Sequence, residues 1–284
     1  VHDATARFFD AMVASYDDLE PWYRHFYARL HRVLRAALPP APAGARALDA
    51  GCGTGFQTAI VADLGYRAHG LDVSAGSLAV ARARLPAARL VRGDLLALPY
   101  GDETFDAVVC AGSTLDFVDD PGHALSELAR VMRPGATLLL DVERRFCLDL
   151  GWTLLSSVTG DALAYGLRPA QAWALLARPP GEGVWLDYPG YPRLRLFTDR
   201  ELRALLARAG LRVERAWGIH AVTNLVPSTL LHRPRVPAGL RLLYRALCAA
   251  DGAVGGWAAA RALAAHGVVL ARKGAPGAAR DGTV

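Results

Sequence analysis

Apolar positions recur at helical spacing early in the chain, and then the period changes. Trp22, Phe26, Leu30, Val33, Leu34 and Ala37 fall on one side of a helical wheel, with Arg24, Arg32 and Arg35 elsewhere. Asp18 is placed to cap this helix, which the spacing predicts over 19–38 and which Pro39-Pro40 ends. A shorter helix is predicted over 4–15, and the Pro/Ala/Gly stretch up to Gly44 reads as a linker. From Arg46 onward strand and helix alternate. Short apolar runs at 47–49, 66–71, 88–91, 105–110 and 137–142 read as strands. Between them lie a helix over 54–64, one capped by Ser74 that carries Leu78, Ala81 and Leu85, and one opened by Asp120-Pro121 that presents Leu125, Leu128 and Met132. Repeated βα units imply a parallel sheet with helices on both faces.

The alternation breaks at Glu143. The stretch 143–196 has no clean period but holds Trp152, Tyr165, Trp173, Trp185, Tyr188 and Tyr191. A capping box, Thr198-Asp-Arg-Glu201, restores the helical signal, with Leu202, Leu205, Leu206 and Ala209 at core spacing. Strands are predicted over 211–217 and 266–270, with a second insertion between them. That insertion contains an amphipathic segment over 237–249, with Leu240, Leu243, Tyr244 and Leu247 on one face and Arg241 and Arg245 on another. Such a segment can rest on a membrane surface or pack as a lid over a pocket.

Composition narrows the class. The 284 residues suffice for one large α/β domain with insertions, and 52% hydrophobic content supplies a core. There are 32 basic and 27 acidic residues, but the basic ones are nearly all arginine, spread singly and in pairs, with Lys273 the one lysine. A nucleic-acid partner calls for a clustered basic stripe, so none is expected. Cys52, Cys110, Cys147 and Cys248 have neither paired nor C-x-x-C spacing. No disulfide framework or metal site is expected, and a reducing cytoplasm fits. No apolar run reaches the ~18–20 residues of a membrane span. No secretory signal pattern follows Val1, and the Gly/Ala/Pro-rich tail after Lys273 is expected to be disordered.

The chemistry sits at strand ends. Ala47-Leu-Asp-Ala-Gly-Cys-Gly-Thr-Gly55 ends an apolar run in Asp49, then sets glycines at 51, 53 and 55. A dinucleotide site wants G-x-G-x-x-G; here the third glycine comes one residue early and Phe56 stands in its place. A nicotinamide oxidoreductase is therefore disfavoured. Asp72 ends the second strand, where an acid can accept both hydroxyls of a ribose. Asp94 ends the third, where it can accept from an exocyclic amine while Leu95 packs on a purine. Asp49, at the base of the turn, suits a cationic ligand group better than a pyrophosphate. Together these describe an adenosine pocket.

This constellation resembles the class I S-adenosylmethionine-dependent methyltransferases. The matching stretches are the glycine turn from Leu48 to Gly55, the acid Asp72, Gly93-Asp-Leu-Leu-Ala-Leu-Pro-Tyr100, Gly101 to Asp106, Leu115 to Pro121, and Arg130-Val-Met-Arg-Pro-Gly135. The run from Leu95 to Asp106 is most similar to the ubiquinone/menaquinone-biosynthesis (type 11) subgroup. The resemblance implies a Rossmann-like seven-stranded α/β sheet with an antiparallel last strand. It implies an N-terminal helical cap over 1–44, a methyltransferase domain over 45–272 whose insertions 143–197 and 218–265 form a substrate lid, and a tail over 273–284. It implies S-adenosyl-L-methionine as cofactor, with S-adenosyl-L-homocysteine as product. Carried over by residue, it puts the backbone of Gly51, Cys52, Gly53 and Gly55 against the cofactor, with Asp49 beside them. Asp72 and Val73 go to the ribose, Asp94 and Leu95 to the adenine, Ala111 and Gly112 to the methionine moiety, and Tyr16 to the covering segment. Two departures stand out. Ala136 replaces the second glycine of the usual Pro-Gly-Gly turn, and Asp116 stands where many relatives have histidine.

The implied reaction is in-line displacement at a sulfonium methyl, in which the protein supplies alignment and electrostatics. A general base is needed only if the acceptor arrives protonated, and His220, just past the sixth strand, is the candidate. Asp116, Tyr165, Tyr188 and Tyr191 are candidates for a substrate pocket; packing inside the insertions is the competing reading for the tyrosines. Cys110-Ala-Gly-Ser-Thr114 replaces the Asn/Asp-Pro-Pro-Tyr motif of exocyclic-amine methylation. The expected partner is thus a hydrophobic small molecule (quinone, polyketide, terpenoid or lipid-like), with peripheral membrane contact possible through 237–249. The alternative is a non-catalytic S-adenosylmethionine-binding module.

Overall fold

The computed structural model describes residues 2–14, 20–187, 190–232 and 236–274. In chain order its elements are α1 (His2–Met12), α2 (Pro21–Ala37), β1 (Arg46–Ala50), α3 (Phe56–Asp63), β2 (Arg67–Asp72), α4 (Ala75–Arg84), β3 (Arg89–Arg92), β4 (Phe105–Cys110), α5 (Pro121–Val131), β5 (Met132–Glu143), α6 (Leu148–Val158), α7 (Pro169–Ala177), β6 (Val184–Leu186), β7 (Leu194–Leu196), α8 (Asp199–Arg208), β8 (Leu211–Ile219), α9 (Ser228–Leu231), α10 (Ala238–Val254), α11 (Ala258–Leu263) and β9 (His266–Lys273).

Seven strands form one sheet in the order β3-β2-β1-β4-β5-β9-β8. β1 to β5 are parallel, and β9 runs antiparallel to both its neighbours. The expected seven-stranded sheet with an antiparallel last strand is present. Apolar layers cover both faces, which is why the central strands read as continuous hydrophobic runs. On one face Leu48, Phe105 and Leu138 pack with Leu125 and Leu128 of α5 and Leu202 and Leu206 of α8. On the other, Ala47, Val109 and Leu139 pack with Phe26 and Leu30 of α2 and Ile60 and Val61 of α3.

Helix starts follow local chemistry. Ser74 Oγ accepts from the Ser77 amide at 3.0 Å, and Asp120 Oδ1 from the His123 amide at 2.9 Å. Thr198 Oγ1 accepts from the Glu201 amide at 3.2 Å, but the reciprocal half of the predicted capping box is absent. Glu201 is drawn instead to the guanidinium of Arg195, a charge-assisted bond stronger than one to a neutral amide. Asp18 lies outside the described residues; α2 opens at Pro21, and its cap residue Glu20 makes no side-chain bond.

The aperiodic first insertion is helix α6, helix α7 and the β6–β7 hairpin, whose three-residue strands are too short to declare a period. Arg145 anchors it. Its buried guanidinium donates to the carbonyls of Leu175, Arg178, Pro179 and Glu182 at 2.6–2.8 Å. Asp149 joins the two insertions by accepting from Tyr165 Oη (2.7 Å) and from the Ser228 hydroxyl (2.7 Å) and amide (3.2 Å). The second insertion centres on α10. Tyr244 is buried with Leu240 and Leu247 against Trp22, Val226 and Leu231. Leu243 does not share that face as predicted. One residue from Tyr244 it is turned about 100° around the helix, and it is exposed beside Leu242. Asp251, on the buried side, accepts from the amides of His220, Ala221 and Val222 and from His25 Nε2. No helix among the described residues is long and apolar enough to cross a membrane. The expected tail disorder concerns positions outside the described residues from 275 on.

Candidate active site

β2 pairs with one edge of β1 and β4 with the other. The connections after β1 and β4 therefore diverge, and the crevice between them opens at the carboxyl ends of the strands. The glycine turn fills its floor. Gly51, Gly53 and Gly55 have φ of +82°, +49° and +91°, which L side chains rarely adopt. At Gly51 space also forbids a side chain, because a Cβ would collide with Thr114. Asp72 fixes the turn from the next strand: Oδ2 accepts from the Gly53 amide and Oδ1 from the Ser74 amide, both at 2.8 Å. Burial raises its pKa, while the amides of Ser74 and Gly53 oppose the rise.

The resulting cleft has a volume of about 310 Å³. Nine of the predicted residues line it together: Gly51, Cys52, Gly53, Asp72, Val73, Asp94, Leu95, Ala111 and Gly112. Three do not. Tyr16 lies outside the described residues. Gly55 serves as the cap residue of α3, facing Ala81 instead of the cleft. Asp49 is fully buried behind the turn, where Oδ2 accepts from the Thr58 hydroxyl at 2.6 Å and Oδ1 has no partner. Burial pushes its pKa up to about 7, opposed by the Thr58 bond and assisted by the Asp72 charge. The Gly112 amide donates to Asp141 Oδ1 at 2.6 Å, so the end of β5 sets the loop after β4.

Several lining residues were missed by sequence reasoning. Thr5 and Phe9 come from α1; Arg24, Tyr27 and His31 from α2; Gln57 from α3; Thr114 and Phe117 from the turn after β4. The α2 set had a signal. Positions 24, 27 and 31 share a helical face distinct from the apolar stripe, but nothing in one sequence says that the second face meets a ligand. Burial and Arg35 lower the His31 pKa to about 4, and its Nε2 has no partner among the described residues. Helix α1 is held over the cleft by Asp10, whose Oδ1 accepts from Ser74 Oγ at 2.5 Å and from the Gly76 amide at 2.8 Å.

A second cavity, of about 450 Å³, lies under the insertions, and Phe117 lines both it and the cleft. Tyr165 and Tyr191 line it; Tyr188 lies outside the described residues. Tyr191 is a half-exposed rim residue whose ring sits 5.0 Å from Phe8 of α1. Asp116 is not in the wall. It is fully buried, and Oδ2 accepts from the Glu143 amide at 2.9 Å, pinning the 114–117 turn to β5. Burial and the nearby Glu143 and Asp141 charges raise its pKa well above the usual range.

His220 is not brought to either cavity. Its ring is buried and stacked on Trp22 at 4.0 Å, with Nδ1 2.7 Å from Thr223 Oγ1. Burial first, then His266, His25 and His232, lower its pKa far below the usual value. A ring so enclosed cannot exchange a proton with a substrate, and the general-base expectation is corrected: His220 is a packing residue. Position past the last parallel strand suggested proximity, but the backbone turns there with φ +61° and aims the ring into the core.

Comparison with known proteins agrees with this geometry. The family profile described as a methyltransferase domain matches residues 48–140. The chain is 36% identical over 138 residues to a demethylmenaquinone methyltransferase of Renibacterium salmoninarum, covering 49% of this chain and 58% of that protein. It is 34% identical over 177 residues to a 2-phytyl-1,4-naphtoquinone methyltransferase of Thermosynechococcus vestitus, covering 60% of this chain and 73% of that protein. The matches span about half the length of the first curated relatives, from 40% to 58%. The fold is that of an S-adenosylmethionine-dependent methyltransferase from Thermotoga maritima, at a TM-score of 0.57 and 19% identity over 95% of this chain and 99% of that one. A glycine turn followed by two strand-end acids in one cleft, and identity spread over most of a relative, give one conclusion: the chain belongs to the class I S-adenosylmethionine-dependent methyltransferases.

Proposed function

We propose that the chain transfers a methyl group from S-adenosylmethionine, by in-line displacement, to a hydrophobic small molecule held in the second cavity. The observation that carries this reading is the convergence of three strand ends, Gly51 to Gly53, Asp72 and Asp94-Leu95, on one cleft. The cradle fits the cofactor: bare glycine backbone, an acid for ribose hydroxyls, an acid and an apolar side chain for an adenine. When bound, S-adenosylmethionine supplies the electrophilic methyl. The protein's residues do the rest. Asp72 orients the ribose while fixing the turn, and Asp141 sets the Gly112 loop against the methionine moiety. Phe9, Tyr27 and Phe117 exclude water, which strengthens the electrostatics inside. Asp49, behind the turn, favours a cation in front of it when ionised.

The acceptor reading rests on Phe117, shared by both cavities, and on the apolar wall of the second. The two curated relatives named above are a demethylmenaquinone methyltransferase and a 2-phytyl-1,4-naphtoquinone methyltransferase, which supports a naphthoquinol as the first acceptor to try. Exposed Leu242 and Leu243, flanked by Arg241 and Arg245 on α10, support a peripheral contact with anionic lipid. The direct test is radiolabelled methyl transfer to a panel of naphthoquinols and other aryl hydroxyls. Product formation that is lost in Asp72→Ala supports the proposal; cofactor binding with no transfer to any acceptor would favour a binding module.

A further inference from the structure

Among the described residues, the second cavity has one acidic lining side chain with no hydrogen bond to its carboxylate. Its apolar wall is formed by Leu150, Leu175, Leu194 and Leu196. Its other charged groups are engaged. Arg145 is spent on four carbonyls. Arg144 bonds the Arg261 carbonyl and pairs with Asp199. Asp149 is satisfied by Tyr165 and Ser228, and His232 by Glu20 at 2.5 Å. His266 faces Asp141 at 3.5 Å, an ion pair without a hydrogen bond to its Nδ1. Glu143, at the end of β5, donates its amide to Asp116 and lends its carbonyl to the Phe197 amide, but its carboxylate has no hydrogen-bond partner among the described residues. The same side chain lines the cavity.

We infer that Glu143 selects the acceptor: the cavity takes an amphipathic molecule with an apolar one- or two-ring body and a hydrogen-bond-donating head, hydroxyl or amine, set against the Glu143 carboxylate. A partly buried carboxylate without a protein donor gains from a ligand N–H or O–H. An anionic head meets repulsion from Glu143 with Asp141 and Asp149 nearby. Burial raises the Glu143 pKa, His266 opposes and Asp141 adds to the rise; a ligand donor, above all a cationic one, favours the charged form. The inference rests on the second cavity being the acceptor site of the proposed reaction. It goes further by fixing the polarity of the acceptor's head.

The test is calorimetric titration of the full chain, with and without S-adenosylhomocysteine, by four naphthalenes. Naphthol offers a neutral donor, naphthylmethylamine a cationic donor, methoxynaphthalene no donor and naphthoate an anion. The two donors are expected to bind at least about tenfold more tightly than the other two, the size of one hydrogen bond to a charged group. Glu143→Gln should reduce the preference of the amine over naphthoate while S-adenosylhomocysteine binding, which reports an intact fold, is unchanged. Equal affinity for all four probes, no binding of any, or an unchanged preference in the folded variant would overturn the inference. Absence of S-adenosylhomocysteine binding in the parent, with the probe preference intact, would defeat the methyltransferase reading and leave only the head-group selectivity of the cavity.

Discussion

Single carboxylates in this protein do different work according to what they touch. Asp72 bridges two backbone amides at the cleft floor, so Asp72→Ala should cost the order of the turn and, on the proposed function, the ribose contact. A loss of about 10- to 100-fold in S-adenosylhomocysteine affinity is expected from calorimetry, the scale of one or two bonds to a charged acceptor. Asp49 carries a prediction about pH. Its folded pKa is raised to about 7 from an ordinary 3.8. The folded state therefore binds more protons than the unfolded one between those values, and stability falls as pH rises through that window. Asp49→Asn removes the titration. Denaturant unfolding of parent and variant from pH 4 to 8 should show the parent losing stability relative to the variant up to about pH 7, then a constant difference. A difference that does not change with pH would contradict the assignment.

At the scale of elements, the periodic ones were legible and the short ones were not. The β1–β5 alternation, the caps at Ser74 and Asp120 and the α2 stripe could be read because each repeats a pattern several times. The β6–β7 hairpin has three residues per strand, and no period can be counted there. Gly51, Gly53, Asp72, Asp94 and Leu95 were legible because they sit at strand ends along the βα rhythm, and the family resemblance added Cys52, Val73, Ala111 and Gly112. Phe117, Tyr27 and Glu143 were not, because their proximity is made by elements distant in sequence. His220 misled because sequence gives the position of a residue past a strand but not the direction of its side chain. Helix α1 carries the prediction at this scale. Asp10 fastens it to Ser74 and Gly76 at the start of α4, while Thr5 and Phe9 close the cleft. Asp10→Ala should loosen the strap without touching the cleft floor. Stopped-flow release of S-adenosylhomocysteine should speed up about tenfold, the worth of one or two such bonds. An unchanged release rate would mean that α1 does not gate the cleft.

At the scale of the molecule, the sheet separates two tasks. The β1–β4 side of the sheet holds the cleft, and the insertions joined by Asp149 roof a cavity that meets the cleft at Phe117. Such a division lets one cofactor site serve different acceptors by changing only the insertions. The central claim is that the cleft takes an adenosyl sulfonium ligand and not a dinucleotide. Calorimetry of the full chain against S-adenosylhomocysteine and against NAD tests it most directly. The account predicts saturable one-site binding of S-adenosylhomocysteine and no measurable heat with NAD; a folded protein that binds NAD, or that binds neither, would contradict it.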